Sequence, residues 1–330
     1  MSKDNKFKLI AAGLAAGAGA SYAALSHKLF QFTCARDAEW NYGGKNNKGK
    51  DGETKEAAPL SRYGSAPEKD REWLKSQLME EAVIRSSVDD TMLFGRYFSC
   101  EAPKRKILCV HGYRASANSD FSGMAKWLHD NDCALLLIDQ RACGHSEGDY
   151  VTFGAKEKYD VLDWLDWLAD RGPKNIPIYL FGVSMGATTV CCASEFDLPK
   201  ETAGIIADCG FTSMKDILAK SAKEWFHLPK YPLLWSVGSE CESAAHFRIQ
   251  DADAESALRK CRVPVLFIHG TADEFVPPSQ AIRNYHACAS KYKDILWIDG
   301  AGHACSMYQD PQKYQMAVSD FFTEAEKEAK

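Results

Sequence analysis

At 330 residues, 45% hydrophobic and 26% charged, the chain has room for one large α/β domain with extra segments, and its composition excludes global disorder. A formal net charge of -5 without a basic stripe argues against nucleic acid as a partner. The twelve cysteines form no CxxC or other metal-ligand spacing. Several, including Cys109 and the Cys191-Cys192 pair, lie in apolar runs and read as reduced, buried small hydrophobes.

In chain order, Lys3, Lys6 and Lys8 precede an uncharged, Ala- and Gly-rich stretch over residues 9–26, followed by His27 and Lys28. That length is at the lower end of a bilayer span, and the basic flank would stay inside. Residues 1–40 are therefore expected to form a hydrophobic targeting or anchor segment, with membrane association through residues 9–26. On that reading the protein is membrane-anchored or exported. Many cysteines without a disulfide framework point instead to the cytoplasm, the alternative localisation. Residues 41–66, dense in Gly, Asn and Lys, read as a flexible linker.

Residues 67–330 carry the expected domain. The pattern predicts a helix over 67–81 with Trp73, Leu74, Leu78 and Met79 on one face. Strand-like alternation follows over 83–100, with Asp89-Asp90 as the turn. Short apolar runs at 106–111, 134–139, 176–182, 204–208, 263–269 and 294–298 then alternate with helical segments at 121–130, 156–170, 186–196, 279–290 and 311–328. Buried parallel strands have this near-continuous apolar character, so a mostly parallel, doubly wound sheet is expected. Residues 213–258 are too long for a plain crossover. They hold two expected helices around Pro229 and Pro232, with apolar bulk at Trp225, Phe226, Leu228, Leu233, Leu234 and Trp235. They are expected to form a small helical cap whose aromatic face lines an acyl pocket.

The chemistry centres on Gly182-Val-Ser-Met-Gly186, which follows the run Ile178-Tyr-Leu-Phe181 and opens a helix. That strand–turn–helix context would lift the Ser184 hydroxyl above the sheet. A hydroxyl becomes a good nucleophile only when a base takes its proton and a third group orients that base. Asp273, in the loop after the run 265–269, and His303, after the last strand, follow Ser184 in the order that an acid and a base would take. Asp208 is the second choice for the acid. Asp139 is expected to shape the loop 141–148, His145 to lie at its rim, and His269 to be a packed structural residue. The backbone N–H groups of Met185 and Tyr113, the latter in Val110-His-Gly-Tyr113, are the expected oxyanion donors.

His111-Gly-Tyr113, the segment 139–148, Gly182-Val-Ser-Met-Gly186, His269-Gly-Thr-Ala-Asp273 and Gly300-Ala-Gly-His303 occur together in one order. In these motifs residues 67–325 resemble the α/β-hydrolase superfamily, most nearly its bacterial cell-surface, serine-aminopeptidase-like and cinnamoyl-esterase-like groups. The resemblance implies the α/β-hydrolase fold, with Ser184 as nucleophile, Asp273 as acid, His303 as base, and Tyr113 and Met185 as oxyanion donors. It implies a serine hydrolase acting on a small-molecule acyl substrate, carboxylic esters first, with peptidase, amidase or thioesterase as alternatives and a non-catalytic binding protein as a further one. No cofactor or metal is called for. Cys143 stands where relatives commonly have histidine or glycine.

Overall fold

A computed structural model describes residues 24–36, 66–225 and 230–328. Among these residues one sheet runs in the order β1-β2-β4-β3-β5-β6-β7-β8. Its strands are β1 (Glu80–Arg85), β2 (Met92–Phe98), β3 (Arg105–Val110), β4 (Cys133–Asp139), β5 (Ile178–Val183), β6 (Thr202–Asp208), β7 (Val265–Gly270) and β8 (Lys293–Ile298). β1 and β2 are antiparallel to their neighbours, and the other pairings are parallel. The mostly parallel α/β architecture expected from the apolar runs is the one observed.

Helix α1 spans residues 24–34. It is followed by α2 (Glu68–Ser76), α3 (Ala117–Asp130), α4 (Glu157–Asp170), α5 (Met185–Ala193), α6 (Met214–Trp225), α7 (Lys230–Ala244), α8 (Ala254–Leu258), α9 (Pro278–Ala287), α10 (Ser306–Gln309) and α11 (Pro311–Glu328). Successive side chains of a strand point to opposite faces, so each central strand feeds two cores. Ile107, Cys109, Leu135, Leu137, Tyr179 and Phe181 pack with Phe121 of α3 and Phe321 of α11. Leu108, Val110, Leu136, Ile138, Ile178 and Leu180 pack with Trp164 of α4 and Val190 of α5 on the opposite face. Ten cysteines are buried, with Cys100 and Cys305 half-buried, and all are free thiols.

The structure moves several expected boundaries. The helix at 67–81 stops at Ser76, where Gln77 turns extended (ψ 139°), and Leu78 is 98% exposed instead of sharing a face with Leu74. β5 and β7 begin just after Pro177 and Pro264, because proline has no N–H to give to the ladder. α3 starts at Ala117, ahead of the expected 121. A Ser116–Ser119 capping box closes its polar first turn, which hydrophobic periodicity does not register.

Residues 213–258 fold as α6, α7, a 3-10 turn (Ile249–Asp251) and α8. The insertion closes at its base through a Ser213–Asp253 bridge and the bond from Met214 N–H to the Ala252 carbonyl (3.0 Å). The expected anchor over residues 9–26 lies outside the described residues up to residue 23. No helix among the described residues is long and apolar enough to cross a membrane. Residues 24–36, within the expected N-terminal segment 1–40, pack on the domain. Ser26, Phe30 and Cys34 recur four residues apart and are buried. Ala35 forms an antiparallel bridge with Tyr150.

Candidate active site

The turn after β5 places the Ser184 side chain. Ser184 sits at φ 54°, ψ -115°, a region that residues with a Cβ rarely occupy. Its N–H donates to the Asp208 carbonyl on β6 (2.8 Å), which holds the turn against the neighbouring strand. The flanking glycines are steric requirements. A Cβ at 186 would lie 1.9 Å from the Val110 carbonyl oxygen, and one at 182 would lie 2.3 Å from that of Gly186. α5 can therefore start against the end of β3 only if both positions lack a side chain.

The three residues put in order by the sequence meet here. Ser184 Oγ lies 2.8 Å from His303 Nε2, and His303 Nδ1 lies 2.7 Å from Asp273 Oδ2. A carboxylate can only accept, so Nδ1 carries the proton and Nε2 presents its lone pair to the Ser184 hydroxyl. Asp273 Oδ1 accepts the N–H groups of Phe275 (3.0 Å) and Val276 (2.8 Å). Burial alone would push the Asp273 carboxyl up. The electrostatic pull of the His303 ring and the hydrogen bonds from His269 and His303 outweigh it and bring the group down to about 2. Asp273 thus stays ionised at any ordinary working pH.

His269 is buried, as expected of a packed structural residue, and its Nε2 lies 2.8 Å from the Val276 carbonyl and 3.3 Å from Asp273 Oδ2. Both partners are acceptors, so Nε2–H is the donor and braces the turn that orients Asp273. Asp208, the alternative acid, does not hydrogen-bond His303. Its Oδ2 accepts from the Tyr314 hydroxyl (2.8 Å), and Oδ1 has no hydrogen-bond partner among the described residues. Burial with a single donor pushes this carboxyl up to about 6.

The sign of that shift gives a test. A carboxyl raised in the folded state favours folding most below its ordinary value of 3.8, and this contribution is lost as pH rises through about 6. Asp208→Asn keeps the Tyr314 bond and removes the ionisation. Its stability relative to the native chain should therefore rise by about 2–3 kcal/mol between pH 4 and pH 7.5, read from urea melts. Parallel stability curves would contradict this.

The loop after β3 lies beside Ser184. A Cβ at position 112 would lie 3.3 Å from Ser184 Cβ. The loop is tied from several sides. Gly112 N–H donates to Asp120 Oδ2 (2.7 Å), and Gln140 Nε2 donates to the His111 carbonyl (2.5 Å). Gln140 N–H also donates to His111 Nε2 (3.0 Å), so the ring's Nδ1 proton goes to the Gly112 carbonyl (2.7 Å). Gly112 N–H is thus committed to Asp120, and Tyr113, the expected donor, follows it in the same loop. Met185 opens α5, and the first N–H groups of a helix have no acceptor within it. Asp120 and Gln140, which fix this loop, were not singled out from sequence. Their only signal was position, on the first turn of a helix and at the end of a strand.

The segment 139–148 supports this arrangement. Asp139 Oδ2 accepts the His145 N–H (3.0 Å), and the Ser146 hydroxyl donates to the Asp139 carbonyl (2.5 Å), so Asp139 shapes the loop as expected. His145 has a 75% exposed side chain at the rim. Cys143 fills apolar space, and its thiol is pushed up to about 12 by burial and nearby carboxylates. Arg141 makes two bonds to the buried Asp160 (2.6 and 2.7 Å) and a third to Asp89 (2.9 Å). Arg141→Leu would strand the Asp160 charge and should cost about 3–5 kcal/mol in a urea melt; a loss under about 1 kcal/mol would contradict the assignment.

Ser184 opens into an apolar pocket that is open to solvent at its mouth. α6 and α7 line it with aliphatic side chains, including Ile217, Leu218, Leu234 and Val237. Among the described residues the aromatic lining comes from Phe32, Tyr113, Phe153, Phe211 and Phe275, and Trp235 on α7 is 75% exposed. Phe226 and Leu228 lie outside the described residues. Cys209, Asp273 and His303 bring possible metal-ligand atoms within 4.8 Å of one another. Both ring nitrogens of His303 are already engaged, by Asp273 and by Ser184, so the geometry here is that of a proton-transfer chain.

The fold is similar to that of the esterase Pf2001 of Pyrococcus furiosus, at 22% identity and a TM-score of 0.61, covering 79% of this chain and 98% of that one. It is also similar to Est1E of Butyrivibrio proteoclasticus, solved with ferulic acid bound, at 18% identity and a TM-score of 0.55, covering 73% and 98%. In sequence the chain is 26% identical over 221 residues to the YqkD protein of Bacillus subtilis (strain 168), covering 67% of this chain and 72% of that one. The family described as the alpha/beta hydrolase family matches residues 107–314, a span that includes the 111–113 loop, Ser184, Asp273 and His303. The chain belongs to the alpha/beta hydrolase family.

Proposed function

We propose that the protein is a serine hydrolase that cleaves carboxylic esters of small to medium acyl chains through an acyl-enzyme. The observation that carries this reading is the unbroken Ser184–His303–Asp273 chain, with its hydroxyl facing an apolar pocket. Ser184 Oγ attacks the ester carbonyl carbon, and its proton passes to His303 Nε2. Asp273 stabilises the imidazolium that forms. The carbonyl oxygen becomes an oxyanion held by the N–H groups of Tyr113 and Met185. The carbon–alkoxy bond then breaks, and His303 returns the proton to the departing alcohol. Water, deprotonated by the same nitrogen, attacks the acyl-enzyme, releasing the carboxylic acid and restoring Ser184.

An apolar pocket suits an acyl chain, and among the described residues none that lines it carries a charge that would anchor a free substrate amine. That favours esters over aminoacyl amides. The test is a hydrolysis screen over p-nitrophenyl esters, acyl thioesters and aminoacyl amides, with Ser184→Ala as control. Preferred turnover of the esters, abolished in the variant, is expected. Turnover confined to amides or thioesters would overturn the ester assignment, and turnover that survives Ser184→Ala would overturn the mechanism.

A further inference from the structure

We propose that helix α1, which lies outside the family-matching region, is the specificity-determining wall of the acyl pocket, with Leu29 and Phe32 setting the chain length that fits in front of Ser184. The inference rests on the serine-hydrolase reading above. Leu29, Phe32 and Thr33 line the same pocket as Ser184, together with the aliphatic side chains of α6 and α7. The pocket is therefore walled partly by a segment from the far N-terminal side of the domain. The family match at 107–314 does not include that segment.

The wall is fastened to the domain, because the residues next to those facing the pocket are tied down. Phe30 is fully buried and packs against Tyr150, with ring centroids 5.0 Å apart. At the C-terminal end of α1, Arg114 donates to the carbonyls of Ala35 (2.6 Å) and Phe32 (3.3 Å). A guanidinium there satisfies carbonyls that the helix leaves without N–H partners and complements the negative end of its dipole. The chain beyond α1 is held by bonds from Val151 N–H to the Cys34 carbonyl and from Arg36 N–H to the Asp149 carbonyl, both 2.7 Å.

Tyr113 links the wall to the chemistry. Its hydroxyl donates to the Thr33 carbonyl (2.6 Å) and accepts from Arg114 Nε (2.8 Å), and its ring stacks on Phe153 with centroids 5.1 Å apart. The loop whose Gly112 lies against Ser184 thus also holds α1 in place through Tyr113. Leu29 and Phe32 are apolar, so what they select is the length and bulk of a hydrocarbon chain. Each methylene that the wall admits should raise reactivity by about three- to fourfold, and each it excludes should lower it as much.

The test uses the full chain and ethyl alkylphosphonofluoridates bearing methyl, butyl or octyl groups. Ser184 Oγ forms the new O–P bond as the P–F bond breaks; fluoride leaves, and the serine proton goes to His303. Second-order labelling rates are read by intact mass. Leu29→Trp should slow octyl labelling by about tenfold or more while methyl labelling stays within about twofold. Phe32→Ala should act in the opposite sense, raising the octyl-to-methyl ratio by about fivefold. If wild type labels and both variants keep its chain-length profile, or shift all three rates together, the wall assignment is overturned and the hydrolase reading stands. If wild type labels with none of the probes, the hydrolase reading falls and takes this inference with it.

Discussion

Replacing Ser184 with alanine should lower turnover of p-nitrophenyl butyrate by about four to six orders of magnitude, with an unchanged melting temperature to within a few degrees. The size follows from the geometry. No other hydroxyl lies at the strained turn, and His303 Nε2 is bonded to Ser184 Oγ at 2.8 Å. Without that oxygen, the imidazole can activate only a water with no fixed position. What survives is the contribution of the oxyanion donors and of substrate binding. The fold should tolerate the change, because Ser184 makes its structural bond through backbone N–H to the Asp208 carbonyl. The strained φ of 54° persists in the variant, since alanine also carries a Cβ. A loss of less than about a hundredfold would mean that another group performs the attack.

Asp273→Asn should lower turnover by about four orders of magnitude, while Asp208→Asn should lower it by less than about tenfold. Asparagine at 273 offers Oδ1 to the Phe275 and Val276 N–H groups, as the carboxylate does now, and turns its amide N–H₂ toward His303. Nδ1 must then accept, which drives the proton to Nε2 and leaves no lone pair for the Ser184 hydroxyl. Asp208 bonds to Tyr314 and does not touch the imidazole, so its loss leaves that tautomer intact. Steady-state kinetics of the two variants decide the point. Equal losses would require withdrawing Asp273 as the orienting group.

Much of this arrangement was legible in the sequence for a physical reason. Parallel strands buried on both faces must be apolar throughout, so β3 to β7 stand out as runs, and a chain that alternates such runs with helices has few topologies open to it. The elbow glycines are legible because close backbone contact admits no other residue there. The side chains of Ser184, Asp273 and His303, expected from their order to act together, do meet, since each sits on a loop at the same edge of the sheet.

What the sequence concealed depends on long-range contact. Asp120 and Gln140 hold the 111–113 loop across 8 and 29 residues, and nothing local marks either as a partner of that loop. Residues 24–36 read as part of an anchor because an Ala-rich stretch precedes them. Their buried positions, Phe30 and Cys34, are met by Tyr150 and Val151, far along the chain. The helix expected to reach residue 81 showed the reverse effect. Leu78 and Met79 continued its period, while the chain had already turned toward β1. Periodicity records which residues could share a face, and tertiary contacts decide where the element ends.

The most direct measurement is peptide mapping after reaction with diisopropyl fluorophosphate. One stoichiometric phosphoryl adduct is expected on the peptide carrying Ser184, formed at a rate reduced about a thousandfold or more in Asp273→Asn and absent in Ser184→Ala. An adduct on another residue, or equal labelling of the Ser184→Ala chain, would contradict this.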